Sequence, residues 1–163
     1  MNICFLGHRP SDLGGWNENE LQKNIKRNIK NILVESFASN KDLVVLTGLF
    51  LGPEMWAGEI AYELKIPYKV YIPFKDPHSK WIKKTAQQYT FLKNHAASKE
   101  TIDRGHFDPK KIYEKDMYLV NESEKVYVCF VKMVPIIKYA KKLNKQIIDI
   151  MPNENEDDFF IQI

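Results

Sequence analysis

The stretch DLVVLTGLFLGPEMWAGEIAYEL, residues 42–64, decides the fold. Leu43–Leu46 is a short run rich in β-branched residues with no polar alternation, the pattern of a strand buried on both faces. Thr47–Gly52 interrupts it with Gly48 and Gly52, and Pro53 then stands where a helix begins, the one helical turn that tolerates proline. Trp56, Ile60 and Leu64 follow at helical spacing, with Ala57 and Ala61 beside them. The unit is therefore strand, glycine loop, helix. Backbone N–H groups at such a helix start favour an anion, and parallel α/β sheets bind ligands at the carboxyl ends of their strands. Gly48–Glu54 is the first site candidate, although any α/β fold needs turns of this kind.

The flanking sequence extends the same alternation. Ile3–Leu6 predicts a first strand, Gly7–Trp16 an irregular loop, and Asn17 or Asn19 a cap for a helix with Leu21, Ile25, Ile29, Ile32, Leu33 and Phe37 inward. After the central unit come a strand at Lys69–Pro73 and a helix at Lys80–Ala96, with Ile82, Tyr89, Leu92 and Ala96 on one side. Residues 98–108 carry the weakest pattern, with a short strand at Thr101-Ile102. A helix at 110–122 is expected to face inward with Tyr113, Met117 and Val120. Lys125–Val131, Met133–Leu143 and Gln146–Ile150 complete the series as strand, helix, strand. Strands alternating with helices and short links predict one α/β domain with a parallel sheet, spanning residues 1–150. The remaining 151–163 form a tail, acidic and mobile at Asn153–Asp158, with an apolar end that could add an edge strand.

Composition narrows the function classes. A chain of 163 residues suits one domain, and a formal net charge of +3 is too mild for the concentrated basic stripe of a nucleic-acid binder, which argues against nucleic acid as a partner. Cys4 and Cys129 both fall in expected strands and read as buried free thiols of a reducing compartment. The sequence opens directly on a strand, and no apolar run approaches the ~20 residues of a membrane span, so a cytoplasmic protein without a membrane partner is expected. The four histidines show no ligand spacing and no cysteine cluster exists, so no metal and no cofactor are assigned. Neither a Gly-x-Ser-x-Gly elbow nor a phosphate-loop lysine motif is present.

Several residue types could still carry chemistry. Arg9 offers a planar, permanently charged fork suited to phosphate, and His8 beside it could donate to the same group or act as a base. Equally, Arg9 could pair with a carboxylate and His8 cap a backbone group. Glu54 could accept hydrogen bonds from ribose hydroxyls, or it and Glu59 could simply be favourable acids near a helix start. Trp16, Phe50, Trp56 and Trp81 could offer a stacking face for a base, against a core role for the tryptophans at helical spacing.

Four stretches together resemble a known family: FLGHRPSDLGGW (5–16), LTGLFLGPEMWAGEIAYEL (46–64), IPFKDPHSKWIKKTAQQY (72–89), and the Tyr-Ala-Lys-Lys helix with its closing strand. Over about residues 2–150 the chain is similar to the YpsA-like branch of the SLOG superfamily, the Rossmann-like group that includes DprA/Smf proteins and the LOG phosphoribohydrolases. The resemblance implies a Rossmann-like three-layer sandwich with a mostly parallel central sheet and a nucleotide or nucleotide derivative bound at the strand carboxyl ends. It implies binding roles for Gly7, His8, Arg9, Gly48, Gly52, Glu54 and Trp56, with Gly14, Gly15 and Trp16 lining the same pocket. Glu59, and Glu54 with it, would be catalytic if the protein is an enzyme. Homodimers are common in the superfamily, and short members of this branch are often phage-carried, which would place the protein in host cytoplasm. One departure is marked: CFVKMVPIIKYAKK (129–142) lacks the Gly-Gly-Thr-rich loop the family usually places before the last helix.

Three readings follow. The first is a binding module for an ADP-ribose-like, NAD-like or nucleoside monophosphate ligand, serving sensing or sequestration; the missing glycine loop favours it. The second is a nucleotide N-glycosidase in which Arg9 holds phosphate and Glu54 or Glu59 stabilises charge at the anomeric carbon. The third is a degenerate scaffold that binds a protein partner.

Overall fold

The computed structural model describes residues 1–152 and the backbone of 161–162. The expectation of a mobile acidic segment at Asn153–Asp158 lies outside the described residues. The first strand, β1 (Asn2–Gly7), leads through a single 3-10 turn at Pro10–Asp12 to α1 (Glu20–Ser39). Then follow β2 (Val44–Thr47), α2 (Pro53–Glu63), β3 (Tyr68–Ile72), α3 (Lys83–His95) and β4 (Ser98–Thr101). The chain continues through α4 (Pro109–Glu122), β5 (Lys125–Cys129), α5 (Pro135–Lys142) and β6 (Gln146–Asp149), and returns at β7 (Ile161–Gln162).

The strands form one sheet in the order β4-β3-β2-β1-β5-β6-β7. All neighbours are parallel except β7, which runs antiparallel to β6. Registers such as Ile3↔Val45 and Ile3↔Lys125 put β1 at the centre, paired on both edges. Alternate side chains of each central strand enter different cores. Ile3, Phe5, Val45, Tyr127 and Cys129 pack with α1, α2 and α3 residues such as Ile29, Ala57 and Leu92. Cys4, Leu6, Leu46, Val126 and Val128 pack with Leu119 and Val120 of α4 and Ile136 and Ile137 of α5. Helices cover both faces, which is why these strands read as continuous apolar runs. The fold is a Rossmann-like α/β sandwich with a six-stranded parallel core sheet.

Two helix faces differ from the sequence expectation. Ile82 is 72% exposed, because residue 82 is still extended and α3 begins one residue later. On α4 the buried residues are Lys115, Leu119 and Val120, while Tyr113 is exposed. Of the expected inner face, Val120 is buried and Met117 packs against the core, but Tyr113 is exposed and its place is taken by Lys115, a residue invisible to apolar periodicity. Asn19 rather than Asn17 caps α1, its Oδ1 accepting from the Gln22 N–H at 3.0 Å.

The strand order changes direction between β1 and β5, so the fold's topological switch point lies at Gly7 and Cys129. The loops after β1, β2, β3 and β4 all emerge at this same carboxyl edge, and they build the site.

Candidate functional site

The loops after β1 and β2 meet. A Cβ on Gly52 would lie 2.5 Å from the His8 carbonyl oxygen, and Gly52 has φ +110°, so only glycine lets the two backbones approach here. On the other side of the contact, a Cβ on Gly7 would lie 2.5 Å from Pro53 Cγ. The β2 turn is held from within. Thr47 Oγ1 donates to the Glu54 carbonyl and accepts from the Leu49 N–H, both at 2.9 Å, fixing Leu49 at φ 56°. The Gly48 N–H donates to Glu54 Oε2 at 2.9 Å, so that amide is already engaged.

Glu54 itself is buried. Its Oε1 accepts from Lys115 Nζ at 2.6 Å, and Lys115 also lies 2.7 Å from Asp116 Oδ1. Burial opposes the Lys115 charge, but Asp116 and Glu54 outweigh it and hold the ammonium above the usual lysine range. Burial pushes the Glu54 carboxyl up, with Lys115 pulling against it. A small crevice of about 150 Å³ remains at the switch point, walled by Gly7, Glu54, Tyr113, Asp116, Phe130 and Pro135. His8 stands edge-on to Phe130 with ring centroids 5.0 Å apart, and its buried Nε2 has no partner among the described residues.

Beside this closed corner lies an open cleft of about 580 Å³, well within the range of small-ligand sites. Its walls are aromatic: Trp16, Phe50, Phe74, Trp81 and Phe107. Phe50 meets Trp81 edge-to-face at 6.1 Å, and Phe74 meets Phe107 the same way at 5.3 Å. Its charged lining is mostly cationic, with Arg9, Lys75 and Lys80 against the single carboxylate of Asp76, and His106 at the rim. Among the described residues, the N–H groups of Phe50 and Leu51, which also line the cleft, find no acceptor in the chain. Phe50 joins the two regions, for Lys115 Nζ sits 4.3 Å from its ring centroid.

The residues singled out in the sequence separate into five places. Arg9 and Trp16 line the open cleft, together with Phe50 and Trp81. Gly7 and Glu54 line the small crevice, with His8 at its edge. Gly48, Gly52, Gly14 and Gly15 act through the backbone; the last two, at φ +91° and +125°, shape the 10–16 loop, whose carbonyls at Leu13 and Gly15 accept from buried Gln22 Nε2 at 3.1 and 2.6 Å. Trp56 is buried in the core beneath Lys26. Glu59 faces neither cavity and lies near Lys26, Glu18 and Glu63; burial pushes its carboxyl up and Lys26 draws it back. Sequence reasoning passed over Phe74, Lys75, Lys80 and Phe107 as site residues, although the segment 72–89 had already been marked by its Pro-Phe and Lys-Trp pairs. It also gave no sign of Lys115 and Asp116. Among the described residues no group of three His, Cys, Asp or Glu is arranged to hold a metal ion, and no helix is long and apolar enough to cross a membrane.

A UPF0398 protein of Bacillus cereus is 23% identical over 152 residues, covering 86% of this chain and 82% of that relative. Among solved structures, DNA processing protein A (DprA) from Streptococcus pneumoniae superposes with a TM-score of 0.66 at 13% identity over 97% of this chain, which spans 52% of the DprA length. DprA from Helicobacter pylori, described for its single-stranded DNA binding mode, gives 0.64 at 14% identity, covering 97% of this chain and 68% of that one. The molybdenum cofactor carrier protein of Chlamydomonas reinhardtii gives 0.55 at 16% identity, covering 91% and 74%. These likenesses establish the fold, and they correct the expectation that argued against a nucleic-acid partner. A protein of the same fold binds single-stranded DNA, and a whole-chain charge of +3 conceals the local grouping of Arg9, Lys75 and Lys80 around one cleft. Residues 3–154 match the family model described as the YspA SLOG family (YpsA), and with that span matched the chain belongs to this family.

Proposed function

We propose that the protein binds a nucleotide or nucleotide derivative in the open cleft, for sensing or sequestration. The observation that carries this reading is the pairing of aromatic rings with cations that meet no carboxylate partner among the described residues: Phe50, Trp81 and Trp16 beside Arg9, Lys75 and Lys80. Every base has a π-face, and each stacked base contributes about 1–3 kcal/mol. Arg9 supplies a fork for phosphate oxygens, and the free amides at Phe50 and Leu51 supply further donors. The fold is compatible with ligands of this chemistry, since one structural neighbour is described by its DNA binding and another as a cofactor carrier. Binding is favoured over glycoside hydrolysis because neither suspected acid reaches the cleft. Glu54 is held by Lys115 and the Gly48 N–H, and Glu59 lies beside Lys26.

The test is a panel of AMP, NAD, ADP-ribose and a thymidine oligonucleotide, read by melting temperature and tryptophan fluorescence, with released base followed by chromatography. At least one member should raise the melting temperature and leave intact. Trp81→Ala should weaken its binding by roughly 5- to 100-fold, and Arg9→Ala should do so without touching the core. No response across the panel, or binding unchanged in both variants, would overturn the reading.

A further inference from the structure

A second cavity, of about 290 Å³, lies behind the loop that follows β3, where the carboxyl ends of β3 and β4 come together at Ile72 and Thr101. Three cations converge on it: Lys75, Lys93 and Arg104. Among the described residues none of the three pairs with a carboxylate, and the cavity holds only Asp76 to set against them. Three like charges gathered in a concave site against one counter-charge raise the local concentration of anions. The wall also carries polar groups left without partners. Tyr89 is fully buried, yet its hydroxyl has no hydrogen bond, and neither has His78 Nδ1, whose ring stacks on Tyr89 at 4.5 Å. Burial, and after it Lys93, depress the His78 pKa, so the ring sits neutral with a nitrogen free to serve a ligand. Buried polar groups are nearly always satisfied in native structures, and two orphans beside three unpaired cations mark a place for oxygen-rich anion atoms.

Lys75, Asp76 and Pro77 line both this cavity and the aromatic cleft, so an anion here is next to whatever the cleft holds. We infer that the Lys75–Lys93–Arg104 cavity is a phosphate subsite, taking the second phosphate of a ligand longer than one nucleotide whose base stacks in the cleft. This rests on the proposed function for the base, while the phosphate seat is built from separate residues.

Calorimetric titration of the protein with inorganic phosphate, dTMP and the dinucleotide pdTpdT tests it, in the native chain, in Lys93→Ala/Arg104→Ala and in Tyr89→Phe. The native chain should bind pdTpdT at least ~10-fold tighter than dTMP, as charge-assisted hydrogen bonds allow. The double variant should lose that gain and keep dTMP affinity within about twofold, and its affinity for inorganic phosphate should fall at least ~10-fold, to what the Arg9 side of the cleft alone provides. Tyr89→Phe should weaken phosphate binding yet raise the melting temperature of the free protein, because it removes a buried hydroxyl with no partner. A pdTpdT gain that survives the double variant, or no gain in the native chain, overturns the inference. Should neither nucleotide bind, the base-stacking reading falls, and inorganic phosphate then decides alone. Phosphate binding that weakens at least ~10-fold in the double variant keeps the subsite; binding that survives the double variant unchanged, or that is absent from the native chain, removes it.

Discussion

At the carboxyl edge of the sheet two regions lie side by side and are filled in opposite ways. The switch point between β1 and β5, where an open α/β sheet ordinarily receives its ligand, is packed with the chain's own charges: Glu54, Lys115 and Asp116, with the Gly48 amide bound to Glu54. About 150 Å³ of crevice is left there. Over the loops of β2, β3 and β4 the chain instead leaves a cleft almost four times larger, lined by aromatic rings and by cations that pair with no carboxylate among the described residues. The turn from Phe130 to Val134, which carries no glycine, closes over the first region, with Phe130 and Val134 in the crevice wall. The Gly48 amide just ahead of α2 is taken by Glu54 within an internal ion network, and the open space lies one loop outward. The difference shows that a topological rule locates an edge of the sheet, while side-chain charge decides which part of that edge stays vacant.

The largest expected effect breaks the first region. Lys115 is 1% exposed, and replacing it with Met leaves Glu54 buried beside Asp116 without a counter-charge, which should destabilise the protein by about 3–5 kcal/mol. Urea unfolding followed by circular dichroism measures this. Adding Glu54→Gln should return most of the loss, since the buried charge is then gone. A loss under about 1 kcal/mol for Lys115→Met would mean that the network is solvated and that the two regions differ less than described.

Gly52→Ala probes the seam where the β1 and β2 loops touch. The new methyl would meet the His8 carbonyl at 2.5 Å in a backbone conformation, φ +110°, that L-residues rarely adopt. Strain of that kind costs about 1–3 kcal/mol, and the clash adds to it. Lowered thermal stability with Arg9 displaced, seen as weaker binding of the nucleotide panel, is the expected result. A variant that melts normally would show that the two loops are able to separate.

Much of this was legible in the sequence, for reasons that particular residues make plain. Runs such as Ile3–Leu6 and Leu43–Leu46 announce strands because both faces are buried, and Pro53 and Pro109 mark helix starts because no other helical position suits them. The Gly7–Trp16 and Gly48–Trp56 loops were recognisable as neighbours at one edge. Hidden from the sequence were features that depend on distant partners. Lys115 reads as a surface lysine until Glu54, sixty-one positions away, is placed against it. Gln22 reads as solvated until its amide is found clamping the 10–16 loop. The segment 98–108 has almost no apolar signal because β4 is an exposed edge strand, so the cavity behind Lys75, with Thr101 and Arg104 in its wall, could not be anticipated.

The smallest expected effect concerns Glu59, and it sharpens the boundary of the site. Its carboxyl is pushed above the ordinary range chiefly by burial. A raised folded-state value means that the folded chain holds the proton more tightly than the unfolded chain. The stabilisation this provides is therefore complete below the unfolded value, 4.5, and is lost as pH rises through the folded value. Glutamine cannot ionise, so Glu59→Gln should melt about 1–3 °C higher than the native chain near pH 7.5 and nearly level with it near pH 4. Because Glu59 lies toward Lys26 and lines neither cavity, nucleotide binding should be unchanged in the same variant. A lower melting temperature at neutral pH would show that attraction to Lys26 outweighs burial. Loss of binding, or of any base release, would carry the functional site past the cleft and onto the flank of α2, and the contrast between a filled switch point and a vacant cleft would no longer describe where this protein works.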